Sequence, residues 1–325
     1  MGVESLLSAL GPRPEWVTAP ESAWAYTIVV GAAFVVAAVW CVTYALRRRD
    51  SLPLVMLLGG VISMGLEPTV DTLGKVWYAK DNPWVVYVGM GVPQPAFLLM
   101  GYSLFWGGAV YIASRLVRNG LAVYKVYAAV FVMDLFVEYL GVSVLGVGVY
   151  YDFSPFRLLG FPLWWAFVNA AAAVIGVWLV LTLEQRLTGW RRVGFLVVPA
   201  TAFGTTHAAC SWPVWLSLHS DAPHWTANLA ACYAIGMSLA LTAFVASELR
   251  HRVRPAELAS VSRGADGNLA SQARRSLRLR DEMSAEVIGE PRIRVADRYC
   301  PRHQQVSGVI HAGHHHEVTQ HLGLA

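Results

Sequence analysis

Seven long apolar segments restrict what this chain can fold into. Each has about the 20 residues that a helix needs to cross the hydrocarbon core of a bilayer. They lie at 23–46, 53–74, 94–114, 122–146, 162–183, 194–217 and 226–247. The first segment ends in Arg47-Arg48-Arg49 and has no basic stretch before it, so we expect a membrane helix there and not a cleaved signal peptide. The sequence predicts an all-α fold, a polytopic bundle of seven transmembrane helices.

The composition excludes several other classes of protein. Only 14% of the 325 residues are charged and 56% belong to the set AVILMFWYC, whereas a soluble chain carries about 25% charged residues. Four Cys are too few for a secreted disulfide scaffold of this length. Residues 1–248 contain 13 Lys and Arg and 13 Asp and Glu, so the net charge of +4 comes from residues 249–325. We expect two parts: a neutral seven-helix domain (1–248) and a basic, His-rich, mostly disordered tail (249–325). Nucleic acid is not an expected partner, and protein partners cannot be read from the sequence.

The distribution of positive charge predicts the orientation in the membrane. Cytoplasmic segments are enriched in Lys and Arg. With the N-terminus outside, twelve such residues fall on the cytoplasmic side and four on the other side, namely Arg13, Lys75, Lys80 and Arg157. We expect a multi-pass protein of the cell membrane, with its N-terminus outside and its C-terminus inside. Trp and Tyr near the outer helix ends, such as Trp84, are typical of an aromatic belt.

Two pairs of carboxylates lie within the apolar segments. Glu67 and Asp71 lie on the second predicted helix and Asp134 and Glu138 on the fourth, and each pair has i,i+4 spacing and shares one helix face. A charged group at bilayer depth costs at least about 2.5–3.5 kcal/mol, so it is a functional candidate. Closely spaced carboxyl groups in apolar surroundings cannot all be ionised. One protonated group beside one ionised group is what general acid and base catalysis requires. These four residues are the predicted catalytic residues.

Other side chains are candidates for contact with a substrate. His207 on the sixth helix and Asn169 on the fifth fall near the depth of the carboxylates, so we expect one cavity that opens toward the outer leaflet. Aromatic faces also line cavities that shelter cations. The predicted substrate-binding residues are His207, Asn169, Tyr150, Trp164 and Trp165. The alternatives are a packing role for the histidine and interface anchoring for the tryptophans.

Three motifs between residues 134 and 162 carry a resemblance to a known family. They are Asp134-Leu-Phe-Val-Glu138, Gly148-Val149-Tyr150-Tyr151 and Gly160-Phe161-Pro162, with Glu67-Pro68 on an earlier helix. Together they resemble the AveC family of integral-membrane spirocyclases from polyketide pathways, over about residues 60–185. The resemblance implies cofactor-free acid/base closure of a dihydroxy ketone to a spiroketal, followed in some members by loss of water. It also implies that Asp134 and Glu138 are the leading candidates for the catalytic residues.

One position departs from the family pattern and leaves the reaction open. The family usually has another acidic residue soon after Phe-Pro, whereas this chain has Asn169, which cannot act as a proton donor in place of an acid. We therefore expect a cyclase that acts on a hydrophobic polyketide or isoprenoid intermediate without a cofactor or metal. The alternatives are a membrane terpene cyclase, a proton-coupled transporter that uses the same carboxylates, and a carboxylate-rich metal site. A retinal protein is excluded because no Lys lies in the seventh segment.

Overall fold

The computed structural model describes residues 12–250, and its architecture confirms the seven-helix prediction. Seven helices are long and apolar enough to cross a membrane. We number them α1 (Ser22–Arg48), α2 (Leu52–Gly74), α3 (Ala96–Arg118), α4 (Val123–Val144), α5 (Leu163–Leu183), α6 (Gly189–Leu218) and α7 (His224–Arg250). The outward orientation of the N-terminus stays a prediction. The tail from residue 251 onward lies outside the described residues.

Four of the helices contain irregular turns. In α2, a 3-10 turn at Met64–Leu66 separates Leu52–Ser63 from Glu67–Gly74. In α3, a π-helical segment at Ser103–Ala109 separates Ala96–Tyr102 from Val110–Arg118. In α4, Val123–Glu138 is followed by a π-helical segment at Tyr139–Val144. In α6, a 3-10 segment at Gly189–Val197 precedes Val198–Leu218. The irregular turns of α2, α3 and α4 each border a residue of the site below.

The break in α2 lies next to Pro68. Proline has no backbone N–H, so it frees the carbonyl four residues earlier, here that of Met64. The backbone N–H of Glu67 donates to this carbonyl in the 3-10 turn, and the hydroxyl of Tyr87 also donates to it at 2.8 Å. Burial raises the pKa of the Tyr87 phenol to about 12, so it stays protonated and able to donate. The freed carbonyl is therefore satisfied by the Glu67 N–H and by a tyrosine of the connection between α2 and α3.

Close packing of small residues holds the bundle together. A Cβ added at Gly60 on α2 would lie 2.6 Å from Ser103 Cα, and one at Gly107 on α3 would lie 2.4 Å from the Met56 carbonyl oxygen. Such contacts let two backbones approach closely, as membrane helices often do. α5 is the most buried span and packs against α3, α4 and α6, while α1 is the least buried.

Two connections form a cap over one end of the bundle. We use the word cap for residues 75–95 and 145–162. It contains β1 (Val76–Trp77), β2 (Val85–Gly89), β3 (Val92–Pro95), β4 (Val149–Tyr150), β5 (Arg157–Leu158) and β6 (Phe161–Pro162). The antiparallel pairs are β1–β4, β2–β3 and β5–β6. The first pair joins the two connections, so the cap ties the α2–α3 loop to the α4–α5 loop.

The two hairpins of the cap have two-residue turns with positive φ at both central positions. In β2–β3 these are Met90 and Gly91, and in β5–β6 they are Leu159 and Gly160. A turn of this kind matches the twist of the strands and favours glycine. These short strands were not predicted from the sequence.

Tryptophans near the helix ends differ in exposure, and the aromatic belt stays a prediction. Trp84 is exposed, at 60%, as a residue at a membrane interface would be. Trp77 and Trp164 are completely buried, so they pack inside the protein instead of anchoring it at an interface.

Candidate functional site

A cavity of about 420 Å³ lies between the helices beneath the cap, and all four predicted carboxylates line it. Its size falls in the range of pockets that hold small molecules. α1, α2, α3, α4 and α5 all contribute to its wall, which is mainly apolar. The structure therefore brings together two carboxylate pairs from different helices around one space. The other predicted residues in the wall are Tyr150, Trp165 and Asn169.

The pair on α2 is held from two directions. The hydroxyl of Tyr102 on α3 donates to Glu67 Oε2. Gln94 Nε2, in β3 of the cap, donates to Asp71 Oδ2 at 2.8 Å. Glu67 and Asp71 are 6% and 1% exposed. Both carboxyl groups therefore have a protein donor and little exposure to solvent.

The aspartate of the α4 pair belongs to a longer hydrogen-bonded chain. Asn169 Nδ2 on α5 donates to Asp134 Oδ1 at 2.9 Å, and Asn169 Oδ1 lies 2.9 Å from His207 Nε2 on α6. An amide oxygen only accepts, so His207 Nε2 carries the hydrogen in this arrangement. Three helices thereby fix the orientation of Asp134. Its second oxygen, Oδ2, is buried and has no hydrogen-bond partner among the described residues.

The glutamate of the α4 pair is held more loosely. The hydroxyl of Tyr150 in β4 donates to Glu138 Oε2 at 3.4 Å, which is long for a bond between two oxygens. Glu138 is partly exposed, whereas the other three carboxylates are buried. Burial raises the pKa of Tyr150 well above its ordinary value, and the nearby charge of Glu138 adds to this, so the phenol stays a donor. Glu138 is the most exposed of the four carboxylates that line the cavity.

The electrostatics of the cavity come from these carboxylates. The ion pairs between described residues join other groups, such as Lys75 with Asp152 and Arg115 with Glu184, and none includes a cavity carboxylate. Glu67 lies within range of electrostatic repulsion by Asp71 and Glu138. Since charge that is not paired in an apolar site is unfavourable, the four groups cannot all be ionised together.

Aromatic rings form one wall of the cavity. The ring of Trp165 lies directly over Gly74, where an added Cβ would be 2.0 Å from Trp165 Cζ3. Tyr150 packs edge-on against Trp165, with ring centroids 5.7 Å apart. Gly74 ends α2 three residues after Asp71. The position of this indole therefore depends on the absence of a side chain at residue 74.

Two predicted binding residues lie behind the wall. His207 is completely buried and contacts two residues of the cavity wall: Asn169 through a hydrogen bond and Trp165 through its ring, with centroids 5.6 Å apart. Trp164 is also completely buried and packs against Trp165, with ring centroids 5.1 Å apart. Both support residues that line the cavity and do not line it themselves.

Three polar groups at the site were not predicted from the sequence. Tyr102 and Gln94 donate to the α2 carboxylates, and Tyr78 of the cap lines the cavity. Gln94 is the one strongly polar residue in the segment Gly91-Val-Pro-Gln-Pro-Ala96, and this was the available signal. Burial raises the pKa of Tyr78 well above its ordinary value, with contributions from nearby carboxylates. Tyr78 is thus a further neutral donor beside the acids.

Within residues 12–250, no group of three or more His, Cys, Asp or Glu residues is arranged to hold a metal ion. The chain has no match among family models, curated proteins or solved structures. The resemblance to the AveC family stays a prediction that rests on the motifs above.

Proposed function

We propose that this protein is an integral-membrane cyclase that closes rings on an apolar, oxygenated polyketide or isoprenoid intermediate by carboxylate acid/base catalysis, without a cofactor. The observation that carries the proposal is the cavity of about 420 Å³ lined by two carboxylate pairs that form no ion pair with any described residue. Carboxyl groups of this kind can both give and take protons. We place the protein in the cell membrane.

The proposed reaction of the spirocyclase type needs only proton transfers. One hydroxyl of a dihydroxy ketone adds to the ketone carbon while a carboxylate takes its proton and a protonated carboxyl group protonates the carbonyl oxygen. The resulting hemiketal hydroxyl is then protonated and leaves as water. The second hydroxyl attacks the oxocarbenium carbon and gives its proton to a carboxylate. One water is released, and neither an oxidant nor a reductant takes part.

The geometry suggests a role for each residue of the α4 pair. Glu138 is the accessible group with a long hydrogen bond, so we assign it to direct proton transfer with the substrate. Asp134 is oriented by Asn169 and lies one helical turn away, where it can exchange a proton with the cavity. Glu67 and Asp71, both firmly hydrogen bonded, complete the acidic lining.

Terpene cyclisation is the second candidate, and the aromatic wall favours it. An acid would protonate an alkene or an epoxide, and the faces of Trp165 and Tyr102 would stabilise the carbocation that forms. The same rings would stabilise the oxocarbenium ion of spiroketal formation. Both reactions therefore require a cavity that stabilises a cation.

The test is product formation by the purified protein in lipid nanodiscs with synthetic linear dihydroxy ketones and with polyprenyl epoxides. We expect conversion of one class to a cyclic product, with a stereoisomer ratio that differs from the acid-catalysed background. Glu138→Gln should slow the conversion by about 10²–10⁴-fold, while Asp221→Asn, at an exposed carboxylate, should retain it. Failure to convert either class, combined with substrate counterflow in proteoliposomes, would replace the cyclase with a transporter.

A further inference from the structure

Part of the cavity wall is also an outer surface of the protein. Val29 on α1 and Met133 and Val137 on α4 line the cavity, yet they are 66%, 36% and 41% exposed. A residue that faces both an internal space and the outside lies at an opening. We use the word lips for these three residues, which are all apolar.

The two helices that carry the lips approach each other at the cap end. Ser22 Oγ at the start of α1 donates to the carbonyl of Leu145, just after α4, at 2.7 Å. One turn further along α1, the Tyr26 hydroxyl oxygen lies 3.8 Å from where a Cβ on Gly141 would be. Val29 lies seven residues from the cap end of α1 (Ser22), which is about 10 Å along the helix. The opening therefore lies between two helices that are long and apolar enough to cross a membrane, away from the cap end of α1.

The cap closes the other route to the carboxylates. Val147 and Tyr150 of the cap line the cavity and are only 4% and 5% exposed. The ring of Tyr78 lies over Gly148, where an added Cβ would be 2.8 Å from Tyr78 Cε1. These side chains separate the cavity from the aqueous side of the cap.

We propose that the ligand reaches the carboxylates sideways, from the bilayer, through the opening between α1 and α4. This inference rests on the proposed function for the identity of the reaction but not for the route. It restricts the substrate class to amphiphiles dissolved in the membrane, with an oxygenated end that reaches the carboxyl groups and an apolar remainder that passes the lips. Free polar metabolites in water are excluded, because apolar lips offer them no hydrogen bonds.

A carbodiimide pair tests the route without any knowledge of the substrate. Dicyclohexylcarbodiimide dissolves in the bilayer and adds to a protonated carboxyl group. The carboxyl oxygen bonds to the carbodiimide carbon, the proton moves to nitrogen, and acyl transfer to nitrogen gives a stable N-acylurea. A water-soluble carbodiimide performs the same addition from the aqueous phase. Mass spectrometry of peptides measures the labelling rate at each cavity carboxylate in the full-length protein in nanodiscs.

Bulky substitutions at the lips provide the decisive comparison. Val29→Trp and Val137→Trp should each slow labelling by dicyclohexylcarbodiimide several-fold. Val36→Trp on α1 and Val132→Trp on α4 should leave the rate unchanged, because these residues are 70% and 63% exposed and do not line the cavity. In the unsubstituted protein, the water-soluble reagent should label the same carboxylates more slowly than the lipid-soluble one.

Three results would overturn the lateral route: equal labelling rates in the lip and control variants, faster labelling by the water-soluble reagent, or no labelling of any cavity carboxylate. Two independent lip variants are used so that misfolding of one does not decide the test. Gel filtration compares the folding of each lip variant with that of the control variant on the same helix. The labelling needs no catalysis. If cyclisation fails while the lip effect holds, the proposed function falls and the route stands.

Discussion

The carboxylate pairs on α2 and α4 have the same spacing but different surroundings. In both pairs a tyrosine hydroxyl holds the glutamate and an amide holds the aspartate. On α2 the amide is Gln94, whose oxygen is buried without a partner among the described residues. On α4 the amide is Asn169, whose oxygen continues to His207. The α4 pair thus combines a firmly oriented aspartate with a loosely held glutamate, which suits proton exchange with a ligand, whereas the α2 pair is fixed.

The largest stability effect is expected when the amide behind each aspartate is removed. Asn169→Leu leaves both Asp134 and His207 without their partner, and each buried polar group left unpaired costs about 1–3 kcal/mol. Gln94→Leu strands only Asp71 and removes the unpaired Gln94 oxygen, so the loss should be smaller. Thermal unfolding in detergent measures both. An equal loss of stability in the two variants would contradict the proposed difference between the α2 and α4 carboxylate pairs.

The next largest losses of stability are expected when the tyrosines that donate to the two glutamates are replaced. Tyr102→Phe removes the hydrogen-bond donor to buried Glu67 and should cost about 1–3 kcal/mol. Tyr150→Phe removes a 3.4 Å contact to partly exposed Glu138 and should cost less than about 1 kcal/mol. The two Tm values, each compared with the unsubstituted protein, give the order. A larger loss for Tyr150→Phe would show that Glu138 is not the loosely held group.

A side chain added at Gly74 should displace Trp165, which lies in the cavity wall near both carboxylate pairs. Gly74→Ala forces Trp165 to move, because the new Cβ would lie 2.0 Å from its ring, and overpacking costs about 1–3 kcal/mol. Gly236→Ala on α7 is the matched control, since nothing lies within 4 Å of its added Cβ. Tryptophan fluorescence and Tm should change in the first variant and not fall in the second. An unchanged Tm for Gly74→Ala would mean that Trp165 moves freely.

The smallest effect is expected at the rim of the cap. Lys75, which follows α2, pairs with Asp152, which follows β4, at 2.5 Å. The hydrogen bond from Lys75 lowers the pKa of Asp152 below its ordinary value of 3.8. The pair should therefore contribute fully at neutral pH and lose its contribution as the pH falls through that lowered pKa.

A double-mutant cycle measures this contribution. Because Asp152 is exposed, Lys75→Met, Asp152→Asn and the double variant should give a coupling of at most about 1 kcal/mol at neutral pH. The coupling should disappear in acid. A coupling that grew on acidification would contradict the assigned sign.

The sequence alone predicts the helices and the carboxylates because both depend on local pattern. Apolar length identifies the spans, and the cost of an acid in hydrocarbon singles out Glu67, Asp71, Asp134 and Glu138. Pro68 also indicates the break in α2, because proline cannot donate a backbone hydrogen bond.

The partners of the carboxylates could not be predicted because they arise from tertiary contact. Gln94 reaches Asp71 from a cap strand, and Tyr102 reaches Glu67 from the next helix. In the sequence, Asn169 is only a departure from the acidic residue of the family pattern. In the structure, it links Asp134 to His207. Single-residue patterns also could not separate Trp165, which lines the cavity, from Trp164, which lies behind it.

The most direct test of the account compares turnover in carboxamide variants of the two pairs, with Asp221→Asn as the common control. The account predicts that Glu138→Gln lowers product formation by about 10²–10⁴-fold, the usual range for loss of an acid or base. Asp134→Asn should follow it, and Asp71→Asn should lose least, with all variants folded by gel filtration. A loss in Asp71→Asn equal to that in Glu138→Gln would contradict the assignment of the chemistry to α4.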